Sequence, residues 1–580
     1  MQLQQDDINN DNIPLLFSVI LLAVIIFLFR MFYLATHKPN DFIARMISHK
    51  DLALRGKIIS SDGFIVAQDK KMYSVAVIPK YINPNKKKMF LKLLSIYTNK
   101  PVSYFQTKLN KYKNLNRVVL LKHIPFNIKK NLEYLSTVFM INKVFLRNDN
   151  NIIYGLDIFE EPSKRFYPLK DRLEPILGYA RYDENHKRVG MGLELYYDNI
   201  LMPRQNGYEK GYRDVQNDII YDNKSIIRAR LDGYNLKLNI NMILQGKIET
   251  ILDKLKEELK AQEILSVVMD TKTGKIISIA SSNRYNPMHI RKQDIPFLKI
   301  SHIQYSYEPG SVMKPITLAL LLEHKKVNIL EVLNAHNGVY YFKRHFTIYD
   351  DEKFKWLNVI QAVIHSSNIV FAQLGLRLSA QEFRSGLLKF GFNKISGIDL
   401  PYEYKGVLFS TRDLISQIHR ASISFGYAMQ VNLIQLLKAY NTFNNNGIMI
   451  TPKIANSYGD NTLTSQKVQV ISPATAQTVL NILREVVLQG TARATNIKGL
   501  FIAGKTGTAK INQNGQYVKG LYNSTFIGFA NDKTHKYTIA TLAIKPDEKR
   551  FFASQTAVVA FKDIVDKMIE MGLLKPNFKN

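Results

Sequence analysis

Seventeen consecutive residues without a charge, IPLLFSVILLAVIIFLF from Ile13 to Phe29, constrain this chain more than any other feature. Arg30 interrupts the run, and MFYL carries it on to Leu34. A hydrocarbon core of about 30 Å takes about twenty apolar helical residues to cross, so 13–34 is expected to be a transmembrane anchor behind a short tail, 1–12. No small-x-small cleavage site follows immediately, which favours a retained anchor over a removed signal peptide. The alternative, a buried core helix, has little preceding chain to pack against. The leading MQLQQDDINNDN is acidic, whereas Arg30, Lys38, Arg45 and Lys50 lie within or beyond the far end of the span. Taken alone, those flanks put the bulk of the chain in the cytoplasm.

The rest of the 580 residues is too long for one ordinary core and calls for two or three domains. A composition 46% hydrophobic and 22% charged is that of a globular protein. The formal charge of +31 is scattered from Arg30 to Lys579. No zinc-finger spacing, RNP-like aromatic run or Gly-rich phosphate loop accompanies it. Charge alone therefore favours a general affinity for polyanions, with membrane lipid and cell wall among the readings, over any defined nucleic-acid module. Cysteine is absent, which excludes disulfides, thiolate metal sites and a cysteine nucleophile.

Residues 37–232 read as a mixed, strand-rich pedestal with no nucleophile constellation. Lys71 to Ile82 has β-branched and aromatic strand character, and the stretches around Leu91 and Leu132 have helical apolar spacing. A boundary near Leu231 to Gly233 opens a second domain, 233–580. There an amphipathic helix precedes a strand hairpin turning at Lys272 to Gly274. Apolar helical stretches cover Ile316 to Leu322, Val359 to Leu376 and Asn432 to Phe443. STFIGFAN and YTIATLAIK read as two further strands, and AVVAFKDIVDKMIEMGLL as a closing helix. This order predicts an α+β fold, with helices packed on an antiparallel sheet.

Three short strings carry the chemistry. In EPGSVMKP, Pro309-Gly310 breaks the chain before a helical run, placing Ser311 at the helix start and Lys314 one turn on, on the same face. A serine hydroxyl needs a neighbouring base, and a lysine can serve only when burial or nearby positive charge makes it neutral. HSSNIV offers the Ser366 hydroxyl as a proton relay and the Asn368 amide to hold a carbonyl. GKTGTA sets Lys505 beside Thr506, Gly507 and Thr508. That cation and its hydroxyls suit a carboxylate-ended substrate, and the glycine lets an extended substrate lie close to the strand. Singly, each string reads as easily as an N-cap, a polar helix end or a turn. Their order within one domain is what points to serine acyl transfer.

With these motifs the chain resembles the class B penicillin-binding proteins, the monofunctional transpeptidases of the bacterial cell wall. RGKIISSDG (Arg55 to Gly63), RFYP (Arg165 to Pro168), GMGLELYYDNIL (Gly190 to Leu201) and GTARATNIKGLFIAGKTGTA are similar to family segments, over nearly the whole chain after the anchor. The opening motif departs at Ser60-Ser61, where the family has Asp-Arg. EPGS, FGFNKISGIDLP (Phe390 to Pro401) and the FFASQTAVVAFKDIV tail look more like the septal, cell-division type than the elongation type.

The resemblance implies a penicillin-binding transpeptidase domain behind a dimerisation-like pedestal and one transmembrane helix. It implies Ser311 as the acylated nucleophile, Lys314 as its base, and Ser366 as relay to the departing D-alanine. Asn368 would orient the stem peptide, Lys505 would supply positive potential, and Thr506 and Thr508 would bind the terminal carboxylate on either side of Gly507. The N–H groups of Ser311 and Thr508 would form the oxyanion hole. No metal or other cofactor is implied. Implied partners are stem peptides ending in D-Ala-D-Ala, β-lactams as covalent inhibitors, and a polytopic SEDS-type glycosyltransferase with division proteins at the inner membrane. Such a substrate lies outside the cytoplasmic membrane, which places the catalytic domain there, against the flanking charges. A β-lactamase or β-lactam sensor would share the motifs but leaves a pedestal of roughly 200 residues and the anchor unexplained. No glutamate-centred glycosyltransferase motif lies between Phe42 and Gly233. A non-enzymatic basic membrane scaffold would leave the complete set of side chains without a use.

Overall fold

The computed structural model describes residues 13–36, 46–112, 115–147, 155–182, 188–213, 219–343, 346–513 and 515–577; the tail expected over 1–12 lies outside them. These residues divide into two compact units, one up to Leu52 together with Gln205–Arg230, the other Ala53–Arg204 with Leu231 onward.

In the smaller unit the apolar run forms one helix, Ile13–Thr36. Its 23 residues from Pro14 are long and apolar enough to cross a bilayer, and none of the apolar window is buried in protein. That exposure removes the core-helix reading, because a core helix has to be covered. The unit also holds a small antiparallel sheet in which Met46–Asp51 pairs with Gly207–Arg213, Met46 opposite Tyr212 and Asp51 opposite Gly207.

The larger unit is mixed α+β, built around a five-stranded antiparallel sheet. Its order is Ile276–Ser281, Glu263–Asp270, Lys536–Ile544, Gln516–Asn531, Phe501–Gln513. Side chains three positions apart on a strand face opposite ways, and the sheet uses both faces. Phe526 meets Phe561 of the closing helix, Ala557–Glu570, at 4.8 Å between ring centroids. Phe529 meets Tyr440 of the helix Leu433–Asn444 at 6.3 Å. Both hairpin strands and the closing helix stand where the sequence predicts them. GKTGTA precedes the final strand pair and is itself part of a further strand, Phe501–Gln513, at the sheet's edge. Two glycines and no apolar–polar alternation hide it. The stretch Val359 to Leu376 is likewise two helices, Val359–Ile364 and Asn368–Gly375, broken where Ser366 takes φ +59°.

One hydrophobic core runs through the position of the expected boundary, joining Ile58, Val66, Leu193 and Leu201 to Ile264, Leu265 and Val267. The strand Leu236–Leu238 explains it, pairing in parallel with Ile58–Ile59 and antiparallel with Ala455–Tyr458. A second core, including Phe90, Leu94, Phe105, Leu132 and Phe139, sits under the helices Lys87–Thr98, Val102–Lys111 and Phe126–Ile141.

Three of the pedestal strings meet in one buried ion cluster. Arg55 donates from Nε to Glu194 Oε2 (2.8 Å) and from Nη1 to Asp198 (2.6 Å). Arg165 donates from Nε to Glu194 Oε1 (2.7 Å) and from Nη1 to the Gly56 carbonyl (2.9 Å). The departure at Ser60-Ser61 keeps a place in this region. Ser61 Oγ donates to the Ile240 carbonyl at 2.9 Å, and Ser60 Oγ donates to Asp62, which accepts from the first two N–H groups of the helix Met242–Leu259.

Candidate active site

Ser311 lies in a single 3-10 turn, Gly310–Met313, that runs directly into the helix Lys314–Glu323. Pro315 is tolerated there because the first-turn N–H groups of a helix have no intrahelical partner. Tyr440 supports the turn by donating its hydroxyl to the Val312 carbonyl at 2.6 Å, and Gly310 N–H donates to the Gly426 carbonyl at 2.9 Å. Gly426 has φ +91°, and a Cβ there would stand 1.9 Å from the Gly310 carbonyl oxygen, so no other residue fits.

Lys314 is wholly buried, while Ser311 remains partly exposed. The Lys314 Nζ stands 2.6 Å from Ser311 Oγ, 2.8 Å from the Ser366 carbonyl, 2.8 Å from Asn368 Oδ1 and 3.2 Å from Ser366 Oγ. Burial pushes the Lys314 ammonium down to about 7, with Asp350 and Asp351 pulling the other way. Lys505, also wholly buried, donates to Ser366 Oγ at 3.0 Å and to the Thr506 carbonyl at 3.2 Å. Burial, and then the charge of Lys314, drive it well below the ordinary lysine value. Ser366 Oγ thus bridges two buried amines, and its left-handed backbone is what turns it inward.

The third string closes the site from the sheet edge. A Cβ on Gly507 would come within 2.9 Å of the Pro309 carbonyl oxygen and 3.0 Å of Val312 Cγ1. The glycine therefore lets the strand approach the nucleophile turn, a tighter reason than room for substrate. Thr506 Oγ1 lies 2.6 Å from Thr491 Oγ1, and Thr508 Oγ1 accepts from Ala553 N–H at 3.1 Å. Ser311, Lys314, Ser366, Asn368 and Lys505 form one hydrogen-bonded cluster. Gly507 touches it by packing, while the Thr506 and Thr508 hydroxyls pair with Thr491 Oγ1 and the Ala553 N–H.

Two groups have no sequence signal. Asp350 accepts from Ser367 Oγ, from Asn368 N–H (2.6 Å) and from Ile369 N–H (3.1 Å), and so fixes the start of the helix carrying Asn368. Burial raises its carboxyl against those hydrogen bonds. Asp350 and Asn368 lie eighteen positions apart in irregular sequence, so only the fold shows the pairing. Thr491 belongs to a segment already similar to the family, yet nothing in its surroundings marks its hydroxyl.

A nucleophile, a neutralisable buried amine, a bridging hydroxyl and an edge strand together suit attack on a carbonyl of an extended peptide. The family model described as penicillin binding protein transpeptidase domain matches residues 264–566, more than half of the chain. This chain belongs to the penicillin-binding protein transpeptidase family. A second model, the penicillin-binding protein dimerisation domain, matches residues 50–238 of this penicillin-binding protein. Among relatives, it is 26% identical to the peptidoglycan D,D-transpeptidase FtsI of Buchnera aphidicola subsp. Baizongia pistaciae, over 98% of this chain and 96% of that protein. It is 27% identical to the stage V sporulation protein D of Bacillus subtilis, over 90% of this chain and 78% of the relative. In fold it is similar to penicillin binding protein 2X of Streptococcus thermophilus, with TM-score 0.74 at 20% identity, covering 91% and 81% of the two chains.

Proposed function

We propose that this penicillin-binding protein is a peptidoglycan D,D-transpeptidase that cross-links stem peptides through an ester on Ser311. The observation that carries the reading is the wholly buried Lys314 amine, 2.6 Å from Ser311 Oγ and pushed down to about 7. Lys314 takes the Ser311 proton as Oγ attacks the carbonyl of the penultimate D-alanine. Backbone N–H groups of Ser311 and Thr508 face the developing oxyanion, and removing one such donor typically costs about 10²–10³ in rate. The peptide bond breaks, and Ser366 Oγ, between Lys314 and Lys505, passes a proton to the departing D-alanine amine. An amine from a neighbouring stem peptide then attacks the ester, its proton returns through the same groups, and Ser311 regains its hydrogen. Asn368 orients the donor peptide, while Lys505, Thr506 and Thr508 hold its terminal carboxylate. A β-lactam acylates the same oxygen.

The role proposed is septal. It is supported by EPGS, the segment Phe390 to Pro401 and the tail from Phe551, and by a division-type name among the relatives. The domain plan proposed is an anchor at 13–34, a pedestal at 37–232 and a transpeptidase domain at 233–580. The anchor would hold the catalytic domain outside the cytoplasmic membrane, beside a SEDS-type glycosyltransferase. Filaments on depletion of the protein support the septal role, whereas rounded cells assign it to elongation.

The chemistry is tested with a fluorescent penicillin on the full chain in detergent, followed by mass spectrometry. A stable adduct on Ser311 that is absent from Ser311→Ala is the expected result. Ring-opened penicillin without an adduct would make the protein a lactamase, and no reaction at all would make it a scaffold.

A further inference from the structure

The pedestal segment 79–147 carries fifteen lysines and arginines against one acidic residue, Glu133, which is fourteen of the chain's thirty-one net positive charges. The charge is concentrated and not diluted over the whole surface, because the segment packs, together with the strand Ile65–Val77, on one core beneath three helices. Glu133 is already engaged by Lys129 at 2.8 Å. Lys86, Lys87 and Lys88 are exposed, as is Lys143, and none of the four has a carboxylate partner among the described residues.

The fold gathers these four lysines at one tip. Ile82 bridges Phe145, Asn83 N–H donates to the Val144 carbonyl at 2.9 Å, and Leu146 N–H donates to the Tyr81 carbonyl at 2.7 Å. The segment leading into Lys86–Lys88 therefore lies against the one that carries Lys143. Helix stability does not explain the placement. Lys86, Lys87 and Lys88 stand at the N-terminal end of the helix Lys87–Thr98, whose first turn holds no acid, and the helix dipole disfavours cations there. Beside them on the same closing segment are Met140, Ile141 and Leu146, 49%, 74% and 41% exposed. Lysines interleaved with exposed aliphatic side chains are the chemistry of a lipid interface, in which cations meet headgroup phosphates and apolar ends enter the acyl boundary. A carboxylated polymer such as the cell wall would use the lysines and leave the aliphatic side chains without a partner.

We infer that this tip is a peripheral membrane contact, seated on anionic phospholipid headgroups. The inference does not rest on the chemistry of Ser311.

The absence of cysteine makes the test direct. Ile141→Cys, labelled with a polarity-sensitive fluorophore, is placed in the full chain and reconstituted in nanodiscs of phosphatidylcholine with or without phosphatidylglycerol. The label is expected to shift to the blue and brighten about two-fold in the anionic discs. The shift should vanish at an ionic strength of about 1 M, where the Debye length is about 3 Å. It should also vanish in Lys86→Glu/Lys87→Glu/Lys88→Glu/Lys143→Glu, which must keep the parent's circular-dichroism spectrum and cooperative melting as proof of folding; Lys→Gln at the same four positions serves if it does not. A label at Tyr341→Cys, at a position 80% exposed, should report no difference. Equal emission in both discs would overturn the inference, as would a shift that survives charge reversal. A shift produced by soluble peptidoglycan strands in neutral discs, and not by anionic lipid, would assign the tip to the polymer instead.

Discussion

Two pairs of buried cations among the described residues are treated in opposite ways. In the pedestal, the Arg55 and Arg165 side chains are 5% and 6% exposed and share Glu194, with Asp198 and Asp69 completing the set. In the active site, Lys314 and Lys505 are buried among hydroxyls, an amide oxygen and backbone carbonyls, with no carboxylate at ion-pair distance among the described residues. Desolvation penalises a charge in either place. Where carboxylates answer it, the charge stays: Glu194 and Asp69 hold Arg165 above its ordinary value although burial opposes them. Where none answers, the proton is loosened and the cation becomes a base. Residue type follows the same division, since a guanidinium stays protonated in proteins and an amine does not have to. Burial alone therefore does not mark a functional lysine; burial without an anion does.

The comparison breaks most visibly if the two clusters exchange effects. Lys314→Met keeps an unbranched side chain but removes the base, and acylation by penicillin should fall about 10²- to 10⁴-fold. Its melting temperature should hold or rise, because a costly buried polar group has gone. Glu194→Ala strands two guanidinium groups and should cost about 3–5 kcal/mol of stability, read as a lower denaturant midpoint. The acylation rate of the protein that remains folded should be unchanged. A Glu194→Ala protein that is stable but slow, or a Lys314→Met protein that unfolds, would mean that the two clusters are not separable.

Much of this was legible beforehand, and the rest was hidden for specific reasons. Ser311 and Lys314 follow from a Pro-Gly break before an apolar run, and the helix begins where that break puts it. The hairpin strands and the closing helix follow from period and turn chemistry. The strand through Lys505 was not legible, because its glycine at 507 answers to the nucleophile turn and not to the sheet. The break at Ser366 is hidden because the apolar spacing on its two sides is continuous enough for a single helix. Arg55, Arg165 and Glu194 were visible only as separate strings; their meeting around one carboxylate is a long-range fact that local pattern cannot express. Asp350 belongs to the same class.

Asp350 sharpens the comparison, since it is a carboxylate near Lys314 that answers other donors. It accepts from Ser367 Oγ and from two backbone N–H groups, so its hydrogen bonds go to the start of the helix bearing Asn368 while its charge still acts on the Lys314 amine from a distance. Asp350→Asn keeps the shape and removes the charge. Hydrogen bonds to a charged group contribute about 1.5–3 kcal/mol, and part of that loss should appear as looser Asn368 and Ser366. Acylation should slow about ten-fold, an amount equivalent to about 1.4 kcal/mol, with the Ser311 adduct still forming to completion. A loss as large as that of Lys314→Met would place Asp350 in the proton path and not in positioning.

The smallest effect concerns the proton itself. If Lys314 is the base, only its neutral form accepts the Ser311 proton, so the acylation rate should rise with pH and level off above about 7. Two pH units below that midpoint, about 1% of the amine is neutral and the rate should be about a hundredth of its plateau. Asp351 is exposed, and its negative charge favours the protonated amine. Removing that charge with Asp351→Asn should move the rising limb to lower pH, making the variant faster than the parent at pH 6 and equal to it at pH 9. Solvent and salt screen an exposed carboxylate, so the displacement should be a few tenths of a pH unit at most and should shrink further at high ionic strength. A limb that moves to higher pH would have the wrong sign for an anion acting on an amine. The titrating group would then be one other than Lys314, and the contrast between paired arginines and unpaired lysines would lose its catalytic half.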